Sequence, residues 1–144
     1  MCSSDLAVIG EPLEFRGDTA AFAQFGTSSD FNTPTVFGQP ARALRMPACT
    51  ASQGLVVRHG IQPNGGGGKV NQYSVVMDIL VPRDSAGLRA LFQTETASPS
   101  QTDADLFLNS ANGVGIEGYF HGTLSPNSWN RLIITVDQIG RAHV

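Results

Sequence analysis

The chain has 144 residues, with 9 Lys and Arg against 12 Asp and Glu, a formal net charge of −3 and only 15% charged residues. That length holds one domain, and the acidic balance leaves no basic field for a phosphate backbone, which argues against a nucleic-acid partner. No apolar run of about 18 residues is present, so nothing here reads as a membrane-spanning helix. Sixteen glycines, many Thr, Ser, Asn and Val, and few Lys, Glu or Leu at helical spacing are the balance of an all-β chain built from short strands and turns.

The two ends fit neither a strand nor a helix. Met1 to Leu6 (MCSSDL) and Ile139 to Val144 (IGRAHV) can be back-translated into strings that are reverse complements over nearly their whole length, and both resemble a short-read sequencing adaptor. The expectation is therefore that residues 1–6 and 139–144 are adaptor-derived and that residues 7–138 are part of a longer reading frame. Setting the ends aside removes Cys2 and His143, which leaves Cys49 as the single cysteine and no internal disulfide. Cys49 has no His or Asp context for a nucleophile and reads as a small packed side chain.

Along the remaining chain, Leu13 to Arg16 is a short candidate strand followed by a turn at Gly17-Asp18. The stretch to Phe37 sets Phe22, Phe25, Phe31 and Phe37 among small residues, which suits irregular connections pinned by aromatic anchors. Ala41 to Met46 alternates apolar and basic side chains as a half-buried strand does, and Gly54 to His59 is a further short strand. Ile61 to Lys69 is a long flexible connection. Its Gly65 to Gly68 run before Lys69 fails as a phosphate loop, because the required spacing and the following helix are both absent.

Asn71 to Pro82 is a strong strand. Tyr73, Val75, Met77, Ile79 and Val81 form one apolar face with period two, each worth about 1.5–3 kcal/mol if fully buried. Ordering the backbone costs about 1–2 kcal/mol per residue, so the strand needs a facing sheet. Asp78, inside this strand, reads as a structural partner of Arg89 or Arg131. A turn at Arg83 to Gly87 leads to a strand over Leu88 to Thr94, and Glu95 to Asp103 is a polar loop. Asp105 to Asn109, a turn through Asn112-Gly113 with positive φ, and Val114 to Tyr119 form a hairpin.

The last run, Ser128 to Asp137 (SWNRLIITVD), holds the only tryptophan. Leu132, Ile134 and Val136 line one face and Ile133 and Thr135 the other, so the strand is expected to be central and covered on both sides, with Trp129 at the rim of the core.

The order YSVVMDILVP, LRALFQT, an acidic loop into DADLFLN, an NG turn, GIEG and SWNRLIITVD resembles the laminin-G-like jelly roll of the concanavalin A-like lectin and glucanase superfamily. The resemblance implies a two-sheet antiparallel β-sandwich, incomplete at its C-terminal end because the strands that follow the tryptophan strand in that family are missing. It also implies a bacterial protein that is secreted or displayed at the cell surface. An unpaired apolar edge would make such a fragment poorly soluble.

The glucanases of that superfamily carry Glu-x-Asp-x-x-Glu on one strand, which places two carboxylates about 5 Å apart. Glu95 and Glu117 are isolated here, so a non-catalytic domain is expected. Calcium is the cofactor the resemblance allows, with Asp103, Asp105 and Asn109 as candidate oxygen ligands at a rim loop. Solvated turn residues, with Asp105 capping the strand start, account for the same pattern and are the favoured reading. His59 and His121 lack a metal-ligand partner at short spacing and read as surface residues. Tyr73, Tyr119, Phe120, His121 and Trp129 together could supply a stacking platform for sugar rings; core packing accounts for Tyr73 and Trp129 just as well, which leaves Tyr119, Phe120 and His121 as the exposed candidates. The expected function is a recognition module binding carbohydrate or another extracellular ligand, such as a protein. The alternatives are an accessory domain of an extracellular hydrolase or a structural adhesion or spacer repeat.

Overall fold

A computed structural model describes residues 11–50, 52–94, 105–116 and 118–137. Both adaptor-like ends lie outside these residues, as do Glu95, Asp103, Glu117 and Gln138. The described chain is all-β with antiparallel pairing throughout its named strands and a single 3-10 turn at Thr19–Ala21.

The strands are β1 (Glu14–Arg16), β2 (Gln24–Thr27), β3 (Arg42–Arg45), β4 (Gly54–Val56), β5 (Gln72–Leu80), β6 (Arg89–Phe92), β7 (Leu106–Leu108), β8 (Val114–Ile116), β9 (Tyr119–His121) and β10 (Trp129–Asp137). They form three two-stranded pairs, β1–β4, β2–β3 and β5–β10, and a four-stranded sheet in the order β6-β7-β8-β9.

The two long strands follow from their period-two pattern. In β5 and β10 alike, half-buried and exposed residues alternate, and the antiparallel register sets like beside like. On the inner face Tyr73, Val75 and Met77 lie opposite Val136, Ile134 and Leu132. This face meets the four-stranded sheet. Val81, Leu108 and Leu124 form the buried cluster, with Ile79 of β5, Leu132 of β10, Leu91 of β6 and Val114 of β8 packed against it. Tyr73 and Phe92 extend the contact with rings 6.4 Å apart. The core is thus made where one strand pair covers another sheet, which is how a short-stranded β chain keeps apolar side chains from water.

The outer face of β5–β10 differs from expectation. Ile133 is 67% exposed and its cross-strand partner Val76 is 59% exposed, and β10 pairs with β5 alone among the described strands. The outer face is left open over much of its length, because among the described residues only one end of it meets another element. That element is the β2–β3 pair with its connecting loop.

Local polar bonds fix the pieces that position this loop. Ser28 is buried, donates its N–H to the Ala41 carbonyl at 2.8 Å and accepts a longer bond on Oγ from Ala41 N–H at 3.4 Å. Asp30 Oδ2 accepts from the Thr27 N–H at 2.7 Å and from the Thr27 hydroxyl at 2.8 Å, closing the turn after β2. Thr19, fully buried, donates to the Arg16 carbonyl and accepts from Gly54 N–H at 2.8 Å, which ties the 3-10 turn to β4. Phe15 and Phe25 then join β1 to β2 edge to face at 6.0 Å.

Several boundaries move. The aromatic stretch contains a true strand, β2, and the run read as one strand from Val114 to Tyr119 is two strands, β8 and β9, turning at Gly118 with φ 83°. Asn112 has the expected positive φ, 60°, whereas Gly113 does not. Cys49 is exposed rather than packed. No helix among the described residues is long and apolar enough to cross a membrane.

Candidate functional site

The start of β10 is set by a compact polar turn. Asn127, at φ 55°, donates its N–H to the Val81 carbonyl at 2.8 Å and accepts from Arg83 N–H on its side chain at 3.0 Å. Asn130 binds back to both the N–H and the carbonyl of Ser125 at 3.1 and 3.0 Å. With the register so fixed, Trp129, Arg131 and Ile133 share the outer face, one residue out of phase with Leu132, Ile134 and Val136.

Each of these outer residues has a defined partner. Arg131 lies opposite Asp78 and grips it with two parallel bonds, Nε to Oδ1 and a terminal nitrogen to Oδ2, both 2.8 Å. These bonds hold the Asp78 carboxyl below the ordinary carboxylate range, against an opposing effect of burial. The Arg131 guanidinium also lies over the Phe37 ring, 4.7 Å from its centre. Trp129 donates its indole N–H to the Pro34 carbonyl at 2.7 Å, which fixes the orientation of the ring.

Phe37 occupies an unusual place. Val36 and Gln39 exchange backbone bonds of 2.9 and 3.0 Å, and the two residues between them, Phe37 and Gly38, have φ of 49° and 79°. Two positive φ angles make a tight turn that Asn-Gly or Gly-Gly adopts cheaply and a bulky side chain does not. Phe37 is nevertheless there, and it is 70% exposed.

Between this turn, β3 and the outer face of β5–β10 lies a cleft of about 250 Å³, walled by Val36, Ala41 to Leu44, Asp78 and Trp129. Asp78 is the only carboxylate on the wall, and both of its oxygens are engaged by Arg131. Arg42 is the only other charged residue among the described residues of the wall, and among the described residues its side chain has no ion-pair or hydrogen-bond partner. Beyond the cleft the open half of the face continues through the Val76–Ile133 pair, a Ser74–Thr135 hydroxyl contact at 3.3 Å and a Gln72–Asp137 bond at 3.4 Å. From Asp78 to Gln72 the strand runs about 20 Å at roughly 3.4 Å per residue.

The residues singled out in the sequence lie elsewhere. Tyr119 and His121 project from one face of β9, both exposed, while Phe120 turns to the other face and is half-buried, so the three do not make one platform. Asp105 Oδ2 accepts from the Thr94 N–H at 2.6 Å and hydroxyl at 2.8 Å, closing the chain at the start of β7. Asn109 Oδ1 accepts from Ala111 and Gly113 N–H at 2.9 and 2.8 Å, shaping the turn to β8. Asp103 lies outside the described residues. Among those described, no group of three or more His, Cys, Asp or Glu is placed to hold a metal. His59 and His121 are both exposed, and Asp78 pairs with Arg131 as one of its two expected partners.

Sequence reasoning missed the cleft. The signal available was the phase of Trp129, which by period two belongs with Arg131 and not with the core-facing set. The Phe37-Gly38 pair also sat unread as a two-residue turn. Comparison with family models, with curated proteins and with solved structures finds no match.

Proposed function

We propose that this chain is a non-catalytic recognition module of a secreted or cell-surface bacterial protein, built as a jelly-roll sandwich of the laminin-G-like kind, and that it binds carbohydrate along the outer face of β5–β10. The observation that carries this reading is Phe37. A non-glycine residue in the left-handed region costs of order 1–3 kcal/mol and persists where the surroundings hold it, commonly at ligand sites. Here that cost supports an exposed ring beside a cleft, 70% open to solvent with Arg131 behind it.

Sugar rings present apolar faces edged by hydroxyls. An aromatic ring and the Val76–Ile133 strip suit the first, and Ser74, Thr135, Gln72 and the fixed carboxylate of Asp78 suit the second. The face is open at its far end, as an extended chain requires. An accessory role beside a hydrolase domain is compatible with the same site.

The test is affinity electrophoresis and calorimetry of the full chain against a panel of soluble polysaccharides, with Phe37→Asn as the variant. Asparagine relieves the backbone strain while removing a ring contact worth about 0.5–1 kcal/mol. The variant is therefore expected to melt at or slightly above the wild-type temperature and to lose retention. Wild-type retention by Phe37→Asn, or no retention of the parent on any polysaccharide, would refute the reading.

A further inference from the structure

From the charge arrangement of the cleft we infer that its ligand is an acidic sugar, and that Arg42 receives the ligand's carboxylate. The inference rests on the carbohydrate reading above and specifies the sugar class.

Two charged residues line the cleft and only one is satisfied. Asp78 is neutralised within the protein by two 2.8 Å bonds from Arg131. Arg42 stands on the wall in β3 with no ion-pair partner for its guanidinium among the described residues, so the described lining presents one uncompensated positive charge. A guanidinium is planar, offers five N–H donors in a fixed fork and has no acceptor, which matches a carboxylate with two parallel bonds and matches a neutral hydroxyl far less well.

The neighbours strengthen the case. Along β3 Leu44 shares the face of Arg42 and, with Trp129, supplies apolar wall on which a ring can rest while its acid group meets the fork. The protein's overall charge of −3 means that an anionic polymer would be repelled by the molecule as a whole. Binding of such a polymer must come from a local site, and Arg42 provides one.

Because the Arg42 side chain is exposed and makes no bond to the described residues, replacing it should leave the fold intact. Arg45, at the other end of β3 and outside the cleft, provides a control that removes the same charge. Retention and calorimetric affinity of the full chain would be measured on polygalacturonate, on the same polymer with its carboxylates methyl-esterified, on neutral dextran and on dextran sulfate. The inference expects polygalacturonate to bind at least about tenfold more tightly than its ester. Arg42→Gln should abolish that preference, Arg42→Lys should restore part of it, and Arg45→Gln should leave it unchanged.

Equal binding of the acid and ester forms, unaffected by Arg42→Gln, would overturn the acidic-sugar assignment while leaving carbohydrate binding in place. Equal binding to dextran sulfate, or equal loss in Arg45→Gln, would reduce the effect to general attraction of anions and overturn it too. Binding to none of the four, with the wider panel also silent, would remove both this inference and the reading beneath it.

Discussion

Gly115 is the position where one methyl group should do the most damage to the backbone. It sits in β8 between Phe107 of β7 and Phe120 of β9 in register, at the centre of the four-stranded sheet. A β-carbon built there would stand 2.8 Å from the Phe120 α-carbon and 2.9 Å from the Tyr119 carbonyl carbon, and closer still to the Tyr119 oxygen. Carbon atoms in contact prefer about 3.5–4.0 Å, so β9 would have to move by roughly 1 Å, and every obstructing atom is backbone. Overpacking costs about 1–3 kcal/mol where side chains can yield. Here relief requires opening the β8–β9 pairing itself, so Gly115→Ala should lose about 3 kcal/mol or more of a total in the ordinary range of about 5–15 kcal/mol. Urea titration followed by circular dichroism would report this as a lower midpoint. Gly68→Ala is the control, since a methyl there meets nothing within 4 Å and no positive φ is involved. That variant should match the wild type or gain about 0.4–1 kcal/mol by restricting the unfolded chain. If Gly115→Ala unfolds at the same urea concentration as Gly68→Ala, the close approach of β9 to β8 is not as described.

Two further outcomes follow from the core and the outer face. Leu108 is 1% exposed within the Val81–Leu124 cluster, so Leu108→Ala should cost about 2–5 kcal/mol in the same titration, and Ile133→Ala, on the open face, should stay within about 0.5 kcal/mol of the wild type. The Asp78 carboxyl is held below its usual value of 3.8 chiefly by hydrogen bonds from Arg131. A depressed carboxylate pKa gives stability that is complete above 3.8 and is lost as pH falls through the lower, folded-state value, so acid denaturation below 3.8 should be shallower in Asp78→Asn. An unchanged acid limb in that variant would show that the pair contributes nothing measurable.

What could be read in the sequence, and what could not, divides by the range of the forces involved. Strands β5 and β10 were legible because period-two alternation over nine residues reflects a whole face turned toward the core. The Asn112 turn was legible because positive φ has a short list of tolerant residues. β2 was hidden because its four residues, Gln24 to Thr27, include a glycine and no alternation that stands out. Its place is fixed by Phe15 from β1 and Ser28 bonding to Ala41, contacts made far along the chain. The split between β8 and β9 was hidden because Gly115 looks like a weak strand residue, when its missing side chain is what lets β9 fold back so closely.

The site shows the same division in a sharper form. Trp129 is the chain's only tryptophan, and a lone large aromatic at a strand start is easily assigned to the core. Its phase says otherwise: two residues before Arg131 and four before Ile133, it must share their face, and that face is the open one. Phase alone still could not reveal the cleft, because the opposite wall comes from β3 and the Val36–Gln39 turn, more than eighty residues earlier. Among the described residues the loop that carries those walls meets the outer face through the Trp129 hydrogen bond to Pro34 and through the ring of Phe37 beneath Arg131. The reading of this face as a binding surface therefore depends on one turn holding an aromatic residue in a backbone conformation that its own side chain disfavours. The proposed carbohydrate site expects removal of that aromatic to abolish retention on polysaccharide at very little cost in stability, and unchanged retention would refute it.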